Sequence, residues 1–260
     1  MRFIDRTGEL GSSNEGYKIR IKTYRNANDI DIEILDENKY TIENSTYQVF
    51  KYGNIKNPFH RSVYKTGYIG VGEYRAYTRI RGKAVAINGY KKWCAMLERC
   101  YGEKISSKNR TYSDCFVCDE WHNFQNFARW YSKNYYSIEG ERMELDKDII
   151  KKGNRIYSPE NCCIVPKPIN VILTNSNAKR GDFPVGVHYE KRKDRYVATC
   201  NIANTKKARY LGMYKNPEDA FYAYKKYKEQ QIKTIADKYK EILPSSVYKS
   251  ILNYKIDIDD

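Results

Sequence analysis

The chain has 260 residues, with 47 Lys or Arg against 32 Asp or Glu, a formal charge of +15 at neutral pH and 26 Tyr. Its mean hydropathy is −0.81 and no apolar run reaches the roughly 18 residues a spanning helix needs. Met1-Arg2-Phe3-Ile4-Asp5-Arg6 has no apolar segment behind it, so neither a membrane protein nor a secretory leader is expected. With 14% aromatic residues the chain can build cores that a disordered polymer lacks, and its excess of cations suits a polyanion.

Residues 1–85 carry 15 basic and 10 acidic side chains. Tyr17-Lys18-Ile19-Arg20-Ile21-Lys22 and Ile30-Asp31-Ile32-Glu33-Ile34 alternate with the two-residue period of half-buried strands. Asp36-Glu37-Asn38 is a turn before Tyr40-Thr41-Ile42, which predicts a hairpin. Gly53, Gly67, Gly70 and Gly72, with Asn57-Pro58, then break up any long helix. The reading is a small antiparallel β domain, a DNA clamp or protein-contact surface, with 76–88 as its connection to the next segment.

From Tyr90 the period changes. Trp93, Met96, Leu97 and Cys100 recur at helical spacing, and Trp121, Phe124, Phe127, Trp130 and Tyr131 form a second such stripe, expected to be core. A polar gap from Gly102 to Arg110 separates them. Seven cysteines, scattered and odd in number, argue for a reducing compartment. Cys115-x-x-Cys118 lacks a well-spaced second pair, so structural Zn²⁺ is not expected.

The stretch Leu145-Asp146-Lys147-Asp148 … Gly153-Asn154-Arg155 … Ser158-Pro159-Glu160-Asn161-Cys162 reads locally as an acidic pair, a Gly-Asn turn and a helix start. It also resembles the ββα-metal core of HNH endonucleases of phages and mobile elements. Their pattern is an Asp-His step, an Asn in the turn about seven residues on, and a helix opening with Asn and an apolar residue. Asp146-Lys147, Asn154 and Asn161 stand in that order, and Trp93-x-x-Met96-Leu97-x-Arg99-Cys100-Tyr101 and Val117-Cys118-x-Glu120-Trp121 resemble the region upstream of it. The resemblance implies that Asp146 and Asn161 hold one Mg²⁺ (or Mn²⁺), hard oxygen donors for a hard cation, and that the four residues Asp146, Lys147, Asn154 and Asn161 make up the catalytic set. Lys147 departs from the pattern, because an exposed protonated amine is not a base unless burial or positive neighbours such as Lys151, Lys152 and Arg155 depress its pKa strongly. His122, near in sequence, is expected to have a surface or packing role.

Residues 178–240 hold 16 basic and 7 acidic side chains, a net of +9 and more than half of the total. Three strands are predicted around Pro184–Tyr189, Arg195–Cys200 and Ala208–Tyr214, with turns at Lys193-Asp194 and Asn204-Thr205. Asn216-Pro217-Glu218-Asp219 then starts a helix: a cap, a proline at the first position and acids that suit the dipole. Gly186-Val187, Tyr196-Val197-Ala198, Leu211-Gly212-x-Tyr214 and Glu218-Asp219-Ala220 resemble the Apetala-two/ethylene-response-factor (ERF) DNA-binding domain, also found as a module of phage HNH homing endonucleases. The resemblance implies that the sheet enters the major groove, with His188, Glu190, Arg192, Arg195, Tyr196, Thr199, Asn201, Lys206, Lys207, Arg209 and Tyr210 at the DNA. Arg192, Arg195 and Arg209 are the candidates for base edges.

The expected fold is α+β and multidomain: a small antiparallel β domain (1–85), an HNH-like ββα core with flanking helices (86–177), a three-stranded sheet plus helix (178–240) and a C-terminal tail or helix (241–260). The expected function is that of a sequence-specific double-stranded-DNA endonuclease or nickase. The alternative is a catalytically degenerate DNA-binding protein, acting as a phage regulator or as a blocker of a host defence or nuclease system. A monomer in the cytoplasm of a bacterial host, in contact with double-stranded DNA and no membrane, completes the expectation.

Overall fold

The computed structural model of the chain describes residues 4–103, 114–174, 182–205 and 207–259. It is a mixed α+β structure with several antiparallel sheets and, among the described residues, six α-helices. No helix among them is long and apolar enough to cross a membrane. The polar gap at 102–110 lies mostly outside the described residues, and Lys206 lies outside them as well. The chain divides into two compact units, 1–102 with 119–129, and 103–118 with 130–260.

In the first unit, β1 (Leu10–Ser12), β2 (Lys18–Asn26), β3 (Asp29–Ile34) and β4 (Thr41–Ser45) form an antiparallel meander in sequence order. The alternation seen in the sequence decides its inner face: Ile19, Ile21, Ile30, Ile32 and Ile34 are fully buried with Phe50 of α1 (Tyr47–Lys51). The turn before β4 closes as expected, with Asp36 Oδ1 accepting the N–H groups of Asn38 and Lys39 at 3.0 Å. The stretch expected to be a connection instead folds as a hairpin of β5 (Tyr77–Ile80) and β6 (Lys83–Ala86). Its short strands alternate too briefly to stand out, and the marker of the turn is Arg81-Gly82.

The helix α2 (Asn88–Tyr101) buries Trp93, Met96 and Leu97, as the 3.6-residue spacing requires. Trp121 sits in a 3₁₀ turn (Asp119–His122) just ahead of α3 (Phe124–Asn134), and Trp93 Nε1 donates to its carbonyl at 2.7 Å. Trp121, Phe124 and Phe127 are fully buried, so the second aromatic stripe is core. His122 belongs to the 3₁₀ turn, with its ring edge-on to Tyr101 at 6.0 Å, a packing position.

In the second unit, β8 (Met143–Asp146) pairs antiparallel with β10 (Cys163–Pro166), and α4 (Lys167–Leu173) packs on both. Between the strands, β9 (Ile156–Tyr157) runs parallel to β7 (Phe116–Val117). A three-stranded antiparallel sheet comes next, in the order β11 (Val187–Glu190), β12 (Arg195–Asn201), β13 (Ala208–Tyr214). Packed on it is α5 (Pro217–Lys238), and α6 (Ser245–Leu252) comes last. One hydrophobic cluster runs through all of it, from Ile149, Cys163, Val165 and Ile169 through Cys200, Phe221 and Ile232 to Val247, Ile251 and Ile256.

Candidate functional site

The residues of the expected chemistry lie in two places, the loop after β8 and the sheet β11–β13. Asp146 ends β8 in register with Cys163, and its Oδ1 accepts the backbone N–H groups of Asp148 and Ile149 at 2.7 and 2.8 Å. Burial pushes its carboxyl above the usual carboxylate range, although those two N–H groups act the other way. Lys147 points inward, only 7% exposed. Its Nζ donates to Asn154 O at 2.6 Å and to Asp148 Oδ2 at 2.8 Å, and stands 6.0 Å from the centre of the Tyr157 ring. Asn154, also buried, answers with Nδ2 donated to Lys147 O at 2.9 Å and to Ile156 O at 2.7 Å. Residues 147 and 154 therefore tie the two ends of one loop to each other, each by its side chain on the other's carbonyl.

Asn161 does not open a helix. Residues 158–161 form a turn, with Cys162 N–H on Ser158 O at 3.1 Å and Asn161 Nδ2 on Ser158 Oγ at 2.9 Å, and the chain runs straight into β10. The cause is the apolar run Cys162–Val165, buried along its length and suited to an inner strand. The helix after the hairpin is α4, entered through Pro166, and the Asn it carries is Asn170. Nothing in the local spacing around Asn161 marks that later residue.

Asp146 would offer Mg²⁺ a carboxylate oxygen and Asn161 an amide oxygen, hard donors for a cation that keeps several waters beside one or two protein oxygens. Bound there, a divalent ion would neutralise charge on a phosphate. No group of three or more His, Cys, Asp or Glu among the described residues is placed to hold a metal. Burial pushes the thiols of Cys115, Cys162 and Cys163 up.

The sheet sorts the DNA-binding candidates by face. Val187 is opposite Ala198, Tyr189 opposite Tyr196, and Cys200 opposite Arg209. This set faces α5: Ala198 and Cys200 are buried, Gln231 of α5 bonds Asn201 O and reaches Cys200, and Arg209 lies over the Tyr227 ring at 5.3 Å. Gly186, with φ +78°, lies so close to the Tyr224 ring that a Cβ there would stand 2.1 Å from it. By alternation the opposite face carries His188, Glu190, Arg195, Thr199, Asn201 and Tyr210 around a buried Val197 and a half-buried Met213, with Glu190 opposite Arg195, His188 opposite Val197 and Thr199 opposite Tyr210. A register shift between Ala198 and Thr199 is what brings Tyr210, rather than Leu211, beside Thr199, and Arg209 beside Cys200.

Tyr196 and Arg209 thus lie on the helix side, whereas Arg192 is exposed in the β11–β12 turn and Lys207 exposed before β13. Tyr210 is 58% exposed. Asp194 and Asn204 take positive φ in the two turns, as expected of residues that tolerate the left-handed region. No family model, curated protein or solved structure matches the chain.

Proposed function

We propose that the chain recognises specific sites on double-stranded DNA through the face of β11–β13 turned away from α5, and that its ββα segment is retained as fold without a working general base. The observation that carries this reading is the gathering of His188, Glu190, Arg195, Thr199, Asn201 and Tyr210 on one face of a segment whose net charge is +9. Three strands spaced by about 4.8 Å present a surface about 10 Å across, a match for the roughly 12 Å major groove. Arg reads guanine and Asn reads adenine, each by two hydrogen bonds, and Lys191, Lys193 and Lys207 supply phosphate contacts beside them.

Lys147 carries the second half of this reading. Hydrolysis needs a group with a lone pair to take the proton of the attacking water. An ammonium that gives its hydrogens to Asn154 O and Asp148 Oδ2 has none to offer. The order Asp146, tied turn, strand, helix favours a second reading, a Mg²⁺-dependent nickase with Asp146 and an Asn at the metal. Incubating supercoiled plasmid with the full chain and Mg²⁺ or Mn²⁺ separates the two. Intact plasmid is expected from the wild type, with nicking appearing only in Lys147→His. Nicking by the wild type that chelator and Asp146→Ala both abolish would establish the nickase instead.

A further inference from the structure

The hairpin β5–β6 is a ribbon held at one end. Tyr77 pairs with Ala86, Thr78 with Val85, Arg79 with Ala84 and Ile80 with Lys83. Arg81 and Gly82 make the turn with φ of 49° and 78°, the two left-handed residues that a two-residue type I′ turn demands. At the base, the Tyr77 ring lies 5.2 Å from that of Tyr90 on α2, and Ile87 N–H donates to Ala76 O at 3.0 Å. Beyond that, residues 77–84 are all exposed, and a Cβ built on Gly82 would meet nothing within 4 Å. A lone two-stranded hairpin is marginal in water, and this one leaves Ile80 55% exposed next to its tip.

Its charge is the second observation. Arg75, Arg79, Arg81 and Lys83 fall within nine residues that contain no Asp or Glu. Among the described residues none of the four pairs with a carboxylate, whereas the cations near the meander do: Arg6 with Glu9, Arg20 with Glu33, and Arg25 with Asp29 and Asp31. The first unit neutralises Arg20, Lys22 and Arg25 of its sheet from within and holds the cations of its ribbon out in solvent.

We propose that the β5–β6 ribbon is a separate DNA-binding element that inserts into the major groove of duplex DNA; it shares its ligand with the sheet reading above and rests on that reading for nothing else. Two strands about 4.8 Å apart with side chains on both sides fit a groove of roughly 12 Å, and the roughly 6 Å minor groove excludes them. Four residues of strand reach about 13 Å, enough to carry the tip to the base edges. There Arg79 and Arg81 meet guanine or phosphate, and Ile80 offers apolar surface to a thymine methyl. Duplex RNA, whose major groove is deep and narrow, does not admit the ribbon.

The test uses the full chain and a labelled mixed-sequence DNA duplex, with affinity followed by fluorescence anisotropy over a range of salt. Arg79→Gln/Arg81→Gln/Lys83→Gln is expected to bind at least about tenfold more weakly. Its log–log salt slope should be shallower by about 2 to 3, at roughly 0.9 for each phosphate no longer neutralised. Thermal unfolding should be unchanged, because all three side chains are exposed. A photo-crosslinking side chain at Ile80 should join to DNA, and duplex RNA of equal length should compete poorly. If the wild type binds and Arg192→Gln/Arg195→Gln weakens it while the ribbon variant keeps both affinity and slope, the ribbon proposal alone is overturned. Equal competition by duplex RNA overturns the groove insertion, and a wild type that binds no DNA removes ribbon and sheet readings together.

Discussion

Asn154 uses both ends of its amide on its own loop: Nδ2 reaches the carbonyls of Lys147 and Ile156, and Oδ1 accepts from Ile156 N–H at 3.2 Å. Removing the amide leaves buried carbonyls without donors, at about 1–3 kcal/mol for each group left unsatisfied. Asn154→Ala should therefore destabilise the second unit by roughly 2 kcal/mol, read as an earlier midpoint in urea. Asn154→Asp should be worse than Ala, since it keeps the shape but points a carboxylate oxygen at two carbonyls. If Asp proves the milder change, the amide does not donate where it is assigned. For single residues, the sequence spacing of seven is a sound guide to which side chains meet. It is silent on what they do when they meet, because a hydrogen bond depends on burial and rotamer, and neither is written in spacing.

Local period makes most elements legible. The isoleucine alternation of β2 and β3, the α2 stripe and the cap of α5 all stand where the residues place them. Asn216 Oδ1 accepts Asp219 N–H at 2.8 Å, and its own amide returns a bond to Asp219 Oδ2 at 2.9 Å. Because α5 is the element that packs on the sheet β11–β13, Asn216→Ala should lower stability by about 1 kcal/mol. Asn216→Asp, a comparably good cap, should restore most of the loss, and a thermal melt of the full chain distinguishes them. Identical melts for wild type and Ala would show the cap to be idle.

Where local period misleads, tertiary structure decides. Ser158-Pro159-Glu160-Asn161 carries a helix-start signal, but Cys162–Val165 is buried as an inner strand, and a short apolar run of that kind has no period to reveal it. Motif order alone groups Arg209 and Tyr196 with residues that the register puts on the other side of the sheet, away from α5. One residue of shift exchanges the faces of a strand, and the irregularity after Ala198 is such a shift.

For the whole molecule, the division of labour is visible in charge and in core. The cluster from Ile149 to Ile256 joins the β8–β10 hairpin, α4, the sheet β11–β13 with α5, and α6 within one unit, so that sheet shares one core with the β8–β10 hairpin and α4. That gives the ββα segment a structural task independent of cleavage. Composition alone points to a polyanion, with +15 over the chain, and we assign that preference to the one sheet face and the one ribbon proposed above.

Selection of bound duplexes from a randomised DNA library is the decisive test of site-specific recognition, performed with the full chain at about 0.15 M salt so that non-specific contacts are screened. The wild type should enrich a motif containing at least one guanine, with the preference relaxed at that position in Arg192→Ala/Arg195→Ala. A library that emerges without any enriched motif, or a motif that the sheet-face variant selects unchanged, would contradict recognition by the sheet.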